Sequence, residues 1–276
     1  MKKLLAVLLA SVMMMGVAAG CSGNDAGNDA STGSTGSNSS ASDAGKDTYV
    51  IGLDPEFPPM GFKDESGSII GFDIDLANAV AEEMGVTFEF QPIDWNSKEM
   101  ELDTGRIDMI WNGFTKDAER EEKMTLSGAY LKNSQVIVVP KDSEIQSKAD
   151  LAGKNVVLQK DSTAKGALDG DEISKEVASV TELSSNVDCF QDIEMGRSDA
   201  MVVDKVVAEY YLSINKDKFR MLDDELSEEE YVIGFKKGNT DLKDRVETAL
   251  QAVIDSGKGK EISEEWFGTD AIVFGK

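Results

Sequence analysis

A chain of 276 residues with 41% hydrophobic content is long enough to bury one large core or two of ordinary size. Its formal charge of -24 argues against nucleic acid as a partner, because affinity for a phosphate backbone comes mainly from Lys and Arg displacing counterions. Histidine does not occur, which removes the commonest general base and metal ligand, and neither a metal nor a cofactor is expected.

The chain begins with an export address. Lys2 and Lys3 precede an apolar run over 4–17, and Ala18, Ala19 and Gly20 then lead into Cys21, as in a secretory signal peptide covering 1–20. The apolar run is short for a membrane span. Small residues directly before a cysteine resemble the bacterial lipobox, with Ala18 standing where that pattern usually has Leu. The resemblance implies that Cys21 is acylated, becomes the mature N-terminus and anchors the protein on the extracytoplasmic face of a membrane. Residues 22–45 are almost entirely Ser, Gly, Asn, Asp, Ala and Thr, which bury too little apolar surface to order themselves. The stretch 21–46 is therefore expected to be a lipidated tether with a reach of roughly 25–30 Å. The other cysteine, Cys189, has no obvious disulfide partner and reads as a small buried hydrophobe.

From residue 48 onward, short apolar strands alternate with amphipathic helices, the pattern of an α/β domain whose helices cover a largely parallel sheet. The first strand is predicted over 48–53, a helix over 74–84 with Gly85 as its stop, and a strand over 87–91. A helix over 96–104 ended by Gly105 and a strand over 108–111 follow. Further on come a strand over 135–139, a helical turn over 148–151, a strand over 155–158 and a helix after Thr163. Residues 186–195 read as helix, 200–203 as buried strand and 205–215 as helix with an apolar face at Val206, Val207 and Tyr210. A strand over 231–235 and helices over 241–255 and 258–266 complete the chain, with no internal repeat.

Four stretches, taken together and in order, carry a resemblance. They are Asp54-Pro55-Glu56-Phe57-Pro58-Pro59-Met60, then Gly71-Phe72-Asp73-Ile74-Asp75-Leu76-Ala77, then Asn112-Gly113-Phe114-Thr115 with Glu119-Arg120, and Gly196-Arg197-Ser198-Asp199-Ala200 leading to Asp204. They resemble the solute-binding proteins of polar amino acid ABC importers, bacterial solute-binding protein family 3, over nearly all of 48–267. That resemblance implies a periplasmic-binding-protein-like α/β fold: two lobes joined by two crossing strands, with a ligand cleft between them. Lobe 1 would be discontinuous, 47–132 plus 231–276, and lobe 2 would cover 133–230, with crossings near 130–135 and 229–232. It also implies a monomer that closes on one amino acid, docks on a membrane permease and has no chemistry of its own.

A free amino acid presents a carboxylate and an ammonium, and the roles follow from that. The Arg120 guanidinium can offer parallel N–H groups to both carboxylate oxygens. Thr163, opening a helix, adds backbone N–H groups and the positive end of a helix dipole, with Ser162 beside it. Asp204 matches the family's lobe 2 aspartate and would hold the ammonium with the Gly113 carbonyl and the Thr115 hydroxyl. Asp54, Phe57 and Trp95 match pocket-lining positions, and Asn112 and Gln159 complete the expected set. An inward Asp54 favours a ligand tail that donates hydrogen bonds, which points to cationic or amide amino acids, and Glu56 either reinforces that preference or faces water. Lys160 and Asp161 stand before Ser162-Thr163 where the family commonly has glycine.

Each residue also has a plainer reading. Arg120 sits in a charged helical stretch, 117–123, and by itself would be a solvated face. Asp204 suits a helix N-cap, Asp54 a turn before Pro55, and Trp95 a core position. Asp73 and Asp75 read as structural groups at a helix N-terminus, Trp111 and Trp266 as packing, and the acidic run 223–230 as solvated surface. Two other functions remain open on this fold: an extracytoplasmic dehydratase-like enzyme and a ligand-sensing subunit of a signalling receptor.

Overall fold

The computed structural model describes residues 46–276, so the expected signal peptide, Cys21 and all but the last residue of the expected tether lie outside the described residues. Lys46, that last residue, pairs with Asp108. β1 (Thr48–Leu53) sends Tyr49, Ile51 and Leu53 inward at the two-residue period of a strand, all fully buried. β2 (Glu56–Phe57), β3 (Gly61–Lys63) and β4 (Ile69–Ile70) then fold into a small antiparallel sheet beside the cleft. α1 (Phe72–Met84) buries Phe72, Leu76, Ala77 and Val80 along one face and stops at Gly85, whose φ of 67° is a conformation L side chains disfavour.

β5 (Thr87–Pro92) pairs in parallel with β1. The helix predicted over 96–104 divides into a 3-10 turn at Trp95–Ser97 and α2 (Lys98–Thr104). β6 (Met109–Thr115) is longer than the predicted strand and buried at every residue. α3 (Ala118–Lys123) and β7 (Met124–Leu126) lead to β8 (Leu131–Pro140), which leaves this half of the molecule.

In the second half, β9 (Asn155–Gln159), α4 (Ala164–Gly170), β10 (Ser179–Leu183), α5 (Asn186–Glu194), β11 (Ala200–Asp204) and α6 (Lys205–Ile214) repeat the strand-helix alternation. The chain returns along β12 (Phe219–Lys236) and ends in α7 (Thr240–Asp255) and α8 (Lys258–Phe267). Cys189 is free and fully buried against the α5 face of the core.

The strands run in the order β10-β9-β11-β8-β12-β6-β1-β5, with β7 also paired to β12. Parallel triplets on either side, β9–β11 and β1, β5, β6, flank one long antiparallel pair, β8 and β12. Parallel strands need helical crossovers, and these supply the covering helices of each half. β12 corrects two expectations. The strand predicted over 231–235 begins at Phe219, and the acidic run 223–230 lies within it, with register shifts around Glu225. The carboxylates hid this strand because four of the six, Asp223, Glu225, Glu228 and Glu230, are exposed. β10 went unseen for a related reason: it is an edge strand whose five residues are exposed or half-buried. Among the described residues no helix is long and apolar enough to cross a membrane.

Candidate ligand-binding site

β1, β6, β9 and β11 all end at the junction of the two halves, where β8 and β12 cross. Ten of the eleven candidate site residues lie at those strand ends or in the segments that follow them, as expected of a site beyond the carboxyl ends of strands. The eleventh, Trp95, is in the turn after β5.

One group surrounds Asp54. Its carboxylate accepts from the Gln159 amide at 2.7 Å and from its own chain at Glu56 N at 2.9 Å. The turn reading is thus realised, and so is a contact between the halves. Asn186, which sequence reasoning missed, donates to Gln159 Oε1 at 3.1 Å and fixes that amide's orientation. Burial pushes the Asp54 carboxyl up to about 6, against the lowering pull of Glu56 N and Gln159. Asn112 turns its Oδ1 to Asp54 N at 2.9 Å and braces the backbone. Glu56 is exposed.

A second group surrounds Arg120. This side chain is not a solvated helix face: it is 6% exposed, stacks 4.3 Å above the Phe114 ring, donates to the Thr115 carbonyl at 2.5 Å and pairs with Asp117 at 3.3 Å. Burial lowers its pKa, and Asp117, Glu229 and Asp204 oppose that shift. Asp204 ends β11 and makes no side-chain cap on α6, so capping does not explain it. Its Oδ1 accepts from Tyr231 Oη and Asn133 Nδ2, both at 2.7 Å. Burial, then the neighbouring Glu229, raise its pKa to about 7.

The lining between these groups has several origins. Trp95 packs edge-on to Phe114, with ring centres 6.0 Å apart, and Phe57 is buried against Gly113. Gly113 has φ 56°, and a Cβ there would lie 2.7 Å from the Phe57 ring, so this position needs glycine. Asp73 does not cap α1. Its Oδ2 accepts from Gly113 N at 2.7 Å and holds the loop from beneath, while burial raises its pKa to about 7. Asp75 accepts from Trp266 Nε1 at 2.8 Å, and Trp111 is fully buried beside Tyr130. In the facing half, Ser162 Oγ donates to Gln159 O at 2.7 Å, and Thr163 Oγ1 accepts from Gln135 at 3.4 Å.

Four further residues were not anticipated. Glu229, inside the supposed solvated run, accepts from Thr115 Oγ1, Asn133 Nδ2 and Gln135 Nε2, each at 3.0 Å and all on Oε2. Lys98 is 4% exposed and donates to the carbonyls of Trp95 at 3.3 Å and Asp161 at 3.1 Å, and burial lowers its pKa to about 8. Asn133 and Gln135 lie two apart on β8 and so share a face, a period-two signal present in the sequence. A groove of about 950 Å³ runs between α6, α8 and the crossing strands. Asn133 and Glu229 line it, and Asp54, Arg120 and Gln159 do not.

A two-lobed α/β architecture with charged groups buried where the lobes meet defines the class as a solute-binding fold. The chain belongs to the bacterial extracellular solute-binding proteins, family 3, whose pattern matches residues 49–269. It is similar to the arginine-binding extracellular protein ArtP of Bacillus subtilis, at 34% identity over 84% of this chain and 91% of the relative. The L-cystine-binding protein TcyJ of Escherichia coli is 28% identical over 81% of this chain and 84% of its own. Among solved structures, the substrate-binding protein of a Streptococcus pneumoniae ABC uptake transporter with bound histidine superposes with a TM-score of 0.80. It is 36% identical over 82% of this chain and 95% of that one.

Proposed function

We infer that this protein captures a free cationic amino acid in the cleft and hands it to an ABC importer in the membrane, without transforming it. The observation that carries the reading is Arg120, a buried guanidinium within electrostatic range of the Asp204 and Glu229 carboxylates but bridged to neither among the described residues. An amino acid zwitterion fits between them, its carboxylate on Arg120 and its ammonium on Asp204.

The charge left over favours a cation. Once the zwitterion answers Arg120 and Asp204, Lys98 remains against Asp54 and Glu229, so a positive ligand tail best neutralises the cleft. Asp54, Phe57, Trp95, Asn112, Gly113, Thr115, Gln159, Ser162 and Thr163 then line or brace the pocket. Relatives named for arginine and the solved histidine complex are in keeping with that ligand class. We place lobe 1 at 47–132 plus 231–276 and lobe 2 at 133–230, acting as a monomer anchored through Cys21.

The test is calorimetry of the protein, unfolded and refolded to strip copurified ligand, against the common amino acids and cystine. Arginine, lysine or histidine should bind tightest, and Arg120→Ala should weaken that binding by about two decades. Binding of none of the panel would sink the reading.

A further inference from the structure

We propose that Asn133, Gln135 and Glu229, on the two crossing strands, form an acceptor floor that receives the N–H donors of the ligand's α-ammonium, with Glu229 as a specificity-determining residue. This rests on the amino acid reading above and extends it to residues outside the expected site.

The first observation is the convergence of three donors on one Glu229 oxygen: the Thr115 hydroxyl and the Asn133 and Gln135 amides, each at 3.0 Å. Glu229 is directly opposite Asn133 in the β8–β12 register, so the arrangement is built into the strand pairing. A hydroxyl has a single proton. By taking it, Glu229 leaves Thr115 Oγ1 with only lone pairs to offer a ligand, which is what an ammonium requires.

The second observation concerns the amides. Their NH2 groups must face Glu229 and Asp204, because a carbonyl oxygen turned toward two carboxylates would be repelled. Their oxygens are thereby committed elsewhere. Asn133 Oδ1 and Gln135 Oε1 are both buried and find no donor among the described residues. The two residues are 8% and 0% exposed and the oxygens themselves are buried, so bulk solvent does not answer them. Buried acceptors without donors are uncommon in native proteins and signal a missing partner.

The third observation sets the partner's sign. Asn133 Nδ2 bridges Glu229 Oε2 and Asp204 Oδ1, which brings two carboxylates to one amide. Two orphaned carbonyls, a hydroxyl lone pair and two carboxylates make this junction rich in acceptors, while the protons of Thr115 Oγ1, Asn133 Nδ2 and Gln135 Nε2 are already given to neighbours. A primary ammonium, with three donors and one positive charge, matches it, whereas a carboxylate or an ether does not.

The experiment is a ligand-deletion cycle by calorimetry on the refolded protein. L-arginine, L-histidine and L-glutamine are each compared with the same molecule lacking its α-amino group, for the native protein and for Glu229→Gln. In the native protein, loss of the α-amino group should weaken binding by about a hundredfold. In Glu229→Gln that discrimination should shrink about tenfold, because Thr115 and both amides are free to reorient as donors. A purely structural role for Glu229 would weaken both members of a pair equally, and that result overturns the proposal, as would an unchanged ratio. If Glu229→Gln fails to fold, Asn133→Ala should show the same loss of discrimination. If the native protein binds no amino acid, the functional reading itself has failed and this inference goes with it.

Discussion

Asp54 and Asp204 hold their protons further up the pH scale than ordinary carboxyls, at about 6 and about 7, chiefly because burial disfavours their charged forms. A ligand cation beside them reverses that preference and drives the protons off. Binding therefore releases protons below pH 7 and strengthens as pH rises from about 5 to 7.5, by at most about tenfold per unit for each proton released. Calorimetry in buffers of differing ionisation enthalpy reads the released protons directly, and an affinity flat across that window would contradict the assignment. The sequence singled out Asp54, Arg120 and Asp204 as candidates because they fall in ordered motifs. It did not identify Glu229, because a glutamate in a run of glutamates looks solvated until a facing strand surrounds it.

At the level of elements, the loop between β9 and α4 shows how a departure from the family pattern is absorbed. Asp161 takes φ 55°, the left-handed region a glycine would occupy with less strain, and Asp is among the residues that tolerate it. Its carbonyl receives Lys98 from the start of α2, so one buried ammonium ties the halves together across the cleft. Lys98→Met keeps the apolar stem and deletes the tie. Affinity for an uncharged amino acid should fall about tenfold through a less populated closed form, and affinity for a cationic one should fall less because a repelling charge is also removed, while the ligand-free melting temperature stays level or rises, because a buried ammonium loses hydration. A fall in melting temperature with unchanged affinity would assign Lys98 to the fold instead. Helices stopped by glycine, at Gly85 and Gly105, were legible because φ near 70° is a local requirement. The division at Trp95–Ser97 was not, since both pieces share one hydrophobic period.

For the molecule as a whole, the formal charge of -24 leaves seventeen ion pairs among the described residues that lie mostly on the surface, where each contributes little. An acidic body of this kind is repelled by anionic lipid, so the anchoring proposed above rests on Cys21 alone. Cys21→Ala should move the protein from the membrane fraction to the medium or periplasm without changing its ligand affinity. Retention of that variant on the membrane would refute the anchor.

The sequence by itself determined the alternation of strands and helices and the order of the family motifs, because periodicity, glycine stops and short motifs are local properties. Only the tertiary structure decided which carboxylates are buried, that Asp73 braces Gly113 instead of capping α1, that Lys98 reaches Asp161 and that Glu229 lines the groove. Those outcomes depend on which strand lies opposite which. The β8–β12 register that sets Asn133 against Glu229 joins residues 96 apart in the chain, a distance no local pattern spans.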